Sequence, residues 1–150
     1  MFEPVPIRRM RTSDLPAILR VERACFRKDA YDRNLFAAYA RRCGSLFLVA
    51  VDSSELHGYA LACPSRNRNA ELVSIAVTPA ARRRGYASAL LEALLRRLKR
   101  SGVERLRLTV RVTNWRAIRF YSKYGFTLVR RVPEYYEDGR DGWRMEKLLR

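Results

Sequence analysis

The sequence predicts an α/β fold of the α+β kind, a central mixed and twisted sheet flanked by helices on both faces, and three observations carry that expectation. Residues 74–98, SIAVTPAARRRGYASALLEALLRRL, read as the end of a strand, a turn through Pro79, an arginine-rich loop and a long amphipathic helix. A further strand follows at once, so this helix is a crossover and the two strands it joins run parallel. Short β-rich runs on either side, one pair of them joined by a hairpin signal, make the sheet mixed.

In chain order, residues 5–10 (VPIRRM) read as the first strand, and Thr12, Ser13 or Asp14 can cap the helix that follows. Pro16 falls in its first turn, where a missing N–H does little harm. Ile18, Leu19, Val21, Ala24 and Cys25 recur with helical period. A break over residues 28–33 precedes a second helix over residues 34–42. SLFLVAVD and HGYALACP are β-rich runs joined across residues 52–55. After the polar loop SRNRN comes the strand over residues 71–77 that feeds the arginine loop.

In the helix opened by Gly85, the positions Ala87, Leu90, Leu91, Leu94, Leu95 and Leu98 form a buried stripe, with Glu92, Arg96, Arg97 and Arg100 opposite and Ser101 and Gly102 as a stop. Leu106, Leu108, Val110 and Val112 alternate with Arg105, Arg107, Thr109 and Arg111 as in a strand, which should pair parallel with the 71–77 strand. A polar junction at Thr113 and Asn114 leads into a short helix carrying Tyr121, stopped at Gly125. Residues 126–132 and 142–148 close the sheet across a loop containing Tyr135, Tyr136, Asp138 and Gly139.

The 150 residues suit one domain, 1–150, large enough for a real core. No hydrophobic run approaches the ~20 residues of a membrane span, and the opening MFEPVPIRRMR has no apolar stretch like a secretory signal. A cytoplasmic protein with no membrane partner is expected. Cys25, Cys43 and Cys63 are odd in number and widely spaced, which argues against a disulfide framework and predicts three small buried thiols. A single histidine, His57, leaves no metal-site pattern and reads as structural. The net charge of +16 is nearly all arginine, since lysine occurs only at positions 28, 99, 123 and 147. It suits polyanions such as a cofactor phosphate, acidic peptide segments or ribosomal RNA, and it equally describes a solvated charged surface.

The start of the helix at Gly85 presents unpaired N–H groups and the positive end of the helix dipole, with Arg82, Arg83 and Arg84 beside it. Its expected guest is a pyrophosphate.

The order strand, RRRGYA, long helix, strand, N-x-x-A-I-x-F-Y-x-K-x-G-F resembles the GNAT superfamily of acetyl-CoA-dependent N-acyltransferases, over residues 6–148. VRVTN, AIRFYSKYGF and the EYYEDGRDGWRM tail are similar to the archaeal N-terminal acetyltransferases and the bacterial enzymes that acetylate ribosomal-protein N-termini. The resemblance implies a GNAT fold, acetyl-CoA as cofactor and a protein or peptide N-terminus as acceptor. Arg82, Gly85 and Ala87 match the pattern Q/R-x-x-G-x-G/A. By that match the backbone from Arg83 and Arg84 through Tyr86 and Ala87 holds the pyrophosphate, Ser88 can add a bond, and the main chain of Ile75, Ala76 and Val77 pairs with the pantetheine arm like an added strand. Asn114 either caps its helix or bonds the pantetheine. Tyr121 matches the family tyrosine that gives a proton to the departing thiolate.

The base departs from the pattern. Where many relatives place Glu or His this chain has Thr109, and Glu71, in phase with Val73 and Ile75, is the substitute. An α-amine acceptor, pKa roughly 7.7–8.0, is about a tenth neutral at pH 7, whereas a lysine amine of pKa roughly 10.4 is neutral less than about one part in a thousand, so an N-terminal acceptor needs little help. Asp29, Tyr31, Glu71, Thr109, Tyr135 and Tyr136 are the expected acceptor-side residues. The expected chemistry is direct transfer in a ternary complex, by a monomer or homodimer, with ribosome association possible. The alternatives are a GNAT enzyme acting on a small amine or a lysine, and a non-catalytic CoA- or RNA-binding module, which Thr109 keeps open.

Overall fold

The computed structural model of the chain describes residues 5–149. Its strands are β1 (Ile7–Arg9), β2 (Phe47–Asp52), β3 (Glu55–Pro64), β4 (Asn69–Val77), β5 (Arg105–Arg111), β6 (Thr127–Val132) and β7 (Gly142–Leu148). Its helices are α1 (Leu15–Phe26), α2 (Arg33–Cys43), α3 (Tyr86–Arg100) and α4 (Trp115–Lys123). The strands form one mixed sheet in the order β1-β2-β3-β4-β5-β7-β6. β4 and β5, joined by α3, pair parallel from Asn69↔Arg105 to Glu71↔Arg107, as the crossover requires. The chain divides into two compact units. One runs up to Cys63 and includes Leu72–Ser101; the other comprises Pro64–Glu71 and the residues from Gly102 onward.

In the first unit, β2 and β3 are joined by a two-residue turn in which Ser53 (φ 52°) and Ser54 (φ 65°) are both left-handed, and Asp52 pairs with Glu55. That is the turn whose twist matches a hairpin. β3 is buried almost throughout, as a strand covered on both faces must be. On one face Tyr59, Leu61 and Cys63 join Phe47 and Val49 of β2 and pack against Ile18, Leu19 and Val21 of α1 and Phe36 of α2. Each such side chain contributes ~1.5–3 kcal/mol when fully buried. On the other face Gly58 sits where any Cβ would lie 2.7 Å from the Ala76 carbonyl and 3.3 Å from Leu90 Cδ1 of α3. Helices α1 and α2 therefore cover one face of this unit's strands and α3 the other.

Asp14 does not cap α1 with its side chain. Its carboxylate takes the Arg8 guanidinium at 2.8 and 3.0 Å and the Arg11 N–H at 2.7 Å, closing the turn before the helix. α2 has a side-chain cap that the sequence reading passed over, Asp32 Oδ1 accepting from the Leu35 N–H at 2.9 Å.

The expectation of three free thiols is corrected here. Cys43 and Cys63 form a disulfide with their Cα atoms 5.3 Å apart, and Cys25 is the free cysteine. Cys43 ends α2 and Cys63 lies near the end of β3, so the return of the β2–β3 hairpin brings together two residues 20 apart in sequence. Spacing along the chain carries no trace of that return.

In the second unit, β5 buries Leu106, Leu108 and Val110. Its other face carries Arg105, Arg107, Thr109 and Arg111. Glu146 of β7 lies 3.3 Å from Arg105 and 3.6 Å from Arg107. Asn114 caps α4, its Oδ1 accepting from the Ala117 N–H at 3.2 Å, and Gly125 (φ 89°) ends the turn after it.

Candidate active site

The arginine loop forms as its composition demands. β4 ends at Val77, a single turn covers Pro79–Ala81, and α3 starts at Tyr86. Arg83 (φ 67°) and Gly85 (φ 83°) both take the left-handed conformation. A Cβ on Gly85 would meet nothing within 4 Å, so within the chain itself it is the dihedral that asks for glycine. The first bond within α3 runs from the Ala89 N–H to the Gly85 carbonyl at 3.0 Å. The N–H groups of Tyr86, Ala87 and Ser88 precede it, and no side chain caps the helix. Arg83 and Arg84 are exposed beside these donors. The result is a set of backbone donors with two exposed arginines beside it, a chemistry that suits an anion.

Two of the expected loop residues have their side chains engaged within the protein. The Tyr86 ring is buried and stacked on His57 at 4.8 Å, its hydroxyl 3.4 Å from Asp52, so Tyr86 has only its backbone to offer an anion. His57 is thereby accounted for in the core. Arg82 turns back, its Nε donating to the Val77 carbonyl at 3.4 Å and its Nη2 lying 3.6 Å from Cys25 Sγ. Cys25 Sγ also donates to the Val77 carbonyl, at 3.3 Å. Of the β4 main chain expected to meet a pantetheine arm, Val77 O already has partners in the protein, and Ala76 and Val77 are buried while Ile75 is half-buried.

In the second unit the sheet register collects a different group. Glu71 lies opposite Arg107, and Thr109 opposite Arg144. The Arg144 guanidinium grips both oxygens of the Glu71 carboxylate, and its Nη1 donates to Thr109 Oγ1 at 3.0 Å. The two expected base-position residues are thus joined by a third that the sequence reading missed. Glu71 is a half-exposed carboxylate held in an ion pair, and Thr109 serves as a hydrogen-bond acceptor. The alternation GWRMEKL does place Arg144 in phase with Glu146, but only the β5–β7 register shows that Thr109 is its neighbour.

Tyr121 of α4 is buried, edge-on to Phe120 and Phe126 at 5.4 Å each. Burial pushes its phenol far above the ordinary value, with the neighbouring Tyr136 adding to the shift, and among the described residues no hydrogen bond holds its hydroxyl. It keeps its proton at any working pH. Asn114 shows the capping geometry of the two roles weighed for it. Tyr135 is exposed and edge-on to Tyr136 at 4.9 Å, and the Arg111 guanidinium lies 4.1 Å over the Tyr136 ring. In the first unit Asp29 and Tyr31 are exposed in the segment between α1 and α2, with Tyr31 edge-on to Phe36 at 5.8 Å.

A buried carboxylate also escaped the sequence reading. Glu22 of α1 is 2 % exposed, and accepts the Tyr31 N–H at 3.0 Å and the Tyr59 hydroxyl, which in turn lies 2.7 Å from Ser74 Oγ of β4. Burial raises its pKa, opposed by the bonds from Tyr59 and Tyr31. The signal was present: position 22 is four residues past Ile18 and three past Leu19, on the apolar stripe of α1.

Comparison with known proteins gives a consistent family. The model of the acetyltransferase (GNAT) family matches residues 14–126. The chain is 32% identical over 155 residues to an N-alpha-acetyltransferase of Saccharolobus solfataricus, covering 95% of this chain and 92% of that one. It is 33% identical to the [ribosomal protein bS18]-alanine N-acetyltransferase of Salmonella typhimurium over 83% of this chain and 82% of that one. In structure it is similar to Ard1 from Thermoplasma volcanium, with a TM-score of 0.92 and 28% identity over 97% of this chain and 98% of that one.

Proposed function

This chain belongs to the acetyltransferase (GNAT) family and is an acetyl-CoA-dependent N-acetyltransferase, and from that premise we propose that its acceptor is the N-terminal α-amine of a protein or peptide, acetylated directly in a ternary complex. The observation that carries this reading is the state of the base position. Thr109 cannot take a proton usefully, and the Glu71 carboxylate is already engaged by Arg144. Such a site favours an amine with an appreciable neutral fraction, which an α-amine has at neutral pH and a lysine lacks. The relatives named as N-alpha-acetyltransferases support the same choice.

Bound acetyl-CoA supplies the acetyl group as a thioester. The N–H groups at the start of α3, with Arg83 and Arg84, hold the pyrophosphate, and the half-buried main chain at Ile75 orients the pantetheine arm. Glu71 accepts, through one water, the proton that the amine nitrogen sheds as it bonds to the acetyl carbon. Tyr121 would offer its hydroxyl to the thioester sulfur, the group on which negative charge develops in acetyl transfer. Because burial raises its phenol well above a thiol of pKa ~8.5, complete transfer of the tyrosine proton runs uphill. Its contribution is therefore to stabilise developing negative charge with a fixed donor. Tyr135 and Tyr136 of one unit, and Asp29 and Tyr31 of the other, are the residues we assign to acceptor recognition.

The test is acetyl-CoA turnover against peptides varied at their first two residues. Turnover with Ala-, Ser- or Met-starting peptides and none with polyamines or internal lysines is the expected result; acetylation of polyamines in preference to peptides overturns it.

A further inference from the structure

Asp29, Tyr31 and Asp32 are exposed in the short segment between α1 and α2. The segment is nonetheless tied to the core at Tyr31, by its backbone as well as by its ring against Phe36. The Tyr31 N–H donates to Glu22 Oε2 at 3.0 Å, and the other oxygen of that carboxylate accepts the Tyr59 hydroxyl. Tyr59 is completely buried at the centre of β3, wedged edge-on to Phe36 of α2 at 5.5 Å. Its oxygen also lies 2.7 Å from Ser74 Oγ, in the residue before Ile75 on β4. One carboxylate thus links α1, the exposed segment, β3 and β4.

Burying a carboxylate is costly, and it is tolerated where hydrogen bonds to the charged form offset the lost water. An apolar residue on the same stripe of α1 would pack without that cost. It would also leave the Tyr31 N–H with no acceptor in the core. Glu22 is almost inaccessible and cannot itself take a proton from an acceptor amine, so what it contributes is position.

We propose that Glu22 is a positioning residue for the acceptor, its carboxylate fixing the Tyr31 backbone to the Tyr59–Ser74 pair and so holding the acceptor-side segment in its binding conformation. The proposal rests on the reading of Asp29 and Tyr31 as acceptor-side residues. It separates two properties that a general loss of structure would move together, namely affinity for the acceptor and affinity for CoA.

The experiment compares wild-type enzyme with Glu22→Ala, Glu22→Gln and Tyr59→Phe, measuring peptide KM, kcat, CoA affinity by calorimetry and amide hydrogen exchange of residues 27–32. Glu22→Ala should raise peptide KM about tenfold, the scale of one lost charge-assisted hydrogen bond, with kcat and CoA affinity little changed. The Tyr31 amide should exchange faster in step. Glu22→Gln, which retains an oxygen to accept from Tyr31, should restore most of both. Tyr59→Phe keeps the ring and serves if the alanine variant does not fold; it should raise peptide KM by a smaller factor. A wild-type peptide KM and wild-type exchange in a CoA-binding Glu22→Ala enzyme overturn the proposal, as does a parallel loss of CoA affinity. If the wild-type enzyme acetylates no peptide, the reading of the acceptor fails instead, and exchange at Tyr31 still shows whether Glu22 holds the segment.

Discussion

Opening the Cys43–Cys63 bridge should cost the protein about 3 kcal/mol of stability. The bridge spans 20 residues of sequence, and the loop-closure relation for a cross-link of that length gives ~11 cal/mol/K of entropy removed from the unfolded chain, or ~3.3 kcal/mol at 25 °C. For a chain of this size each kcal/mol moves the unfolding midpoint by roughly 2–4 °C, so reduction should lower Tm by roughly 6–12 °C. Both cysteines are buried, so the perturbation should be made in two ways. A phosphine reductant opens the bridge while leaving both sulfurs in place, and Cys43→Ala with Cys63→Ala removes it at the further expense of some packing. Thermal unfolding followed by circular dichroism is the assay. Thiol titration in denaturant shows whether the bridge is open: the intact chain has one free thiol, Cys25, and the reduced chain three. The double variant should be indifferent to reductant. A wild-type Tm that does not move when three thiols are titrated would refute the reasoning, because the unfolded chain would then gain nothing from being uncrosslinked.

Four further outcomes are expected. Gly85→Asp forces a side chain into φ 83° and puts a negative charge among the α3 donors, so CoA affinity should fall by several kcal/mol in calorimetry; unchanged affinity in a folded protein would remove this loop from the cofactor site. Tyr121→Phe should lower kcat by roughly 10²-fold with CoA affinity nearly intact, while a rise in KM at constant kcat would make the hydroxyl a binding group. Glu71→Gln should depress kcat/KM most below the pKa of the acceptor amine, roughly 7.7–8.0, and recover above it; an unaltered pH profile would show that solvent takes the proton unaided. The Arg8 guanidinium lowers the Asp14 pKa chiefly by hydrogen bonding. A depressed carboxylate stabilises the fold above its unfolded pKa, roughly 3.9, and loses that contribution as pH falls through the folded value. Arg8→Ala should therefore lose stability at pH 7 and lose less to the wild type as the medium becomes acid, which urea midpoints across that range would show.

The order of elements was legible because each has a local cause. The alternation of Leu106, Leu108 and Val110, the stripe from Leu90 to Leu98 and the stops at Gly102 and Gly125 act over a few residues, and the strands and helices form where those patterns stand. The arginine loop was legible for the same reason, since a glycine before an amphipathic helix specifies both a dihedral and a set of free donors. What escaped depended on register and return. Arg144 meets Glu71 and Thr109 only because β7 pairs with β5 in one particular alignment. Cys43 meets Cys63 only because the hairpin comes back to the end of α2. Tyr86 and Arg82 lie within the motif, yet the Tyr86 ring is buried and the exposed Arg82 side chain folds back onto the Val77 carbonyl, facts of packing that a motif, which records spacing, does not hold.

The last strand in the sheet order, β6, has a further consequence for how copies of this protein meet one another. Its outer edge has no neighbouring strand among the described residues, every residue from Thr127 to Arg131 is exposed, and Leu128 and Val129 are apolar. Such an edge invites a second chain to extend the sheet. Here the pairing register shifts between Leu128 and Arg130, which breaks the straight run of backbone groups that a partner strand would need. The same edge carries Arg130 and Arg131, the second paired to Asp141 at 2.6 Å, and two copies laid edge to edge would bring the Arg130 side chains of both together in desolvated surroundings. Crowded solutions of the enzyme should thus stay clear of sheet-to-sheet aggregation, and salt, by screening those arginines, should erode that protection first.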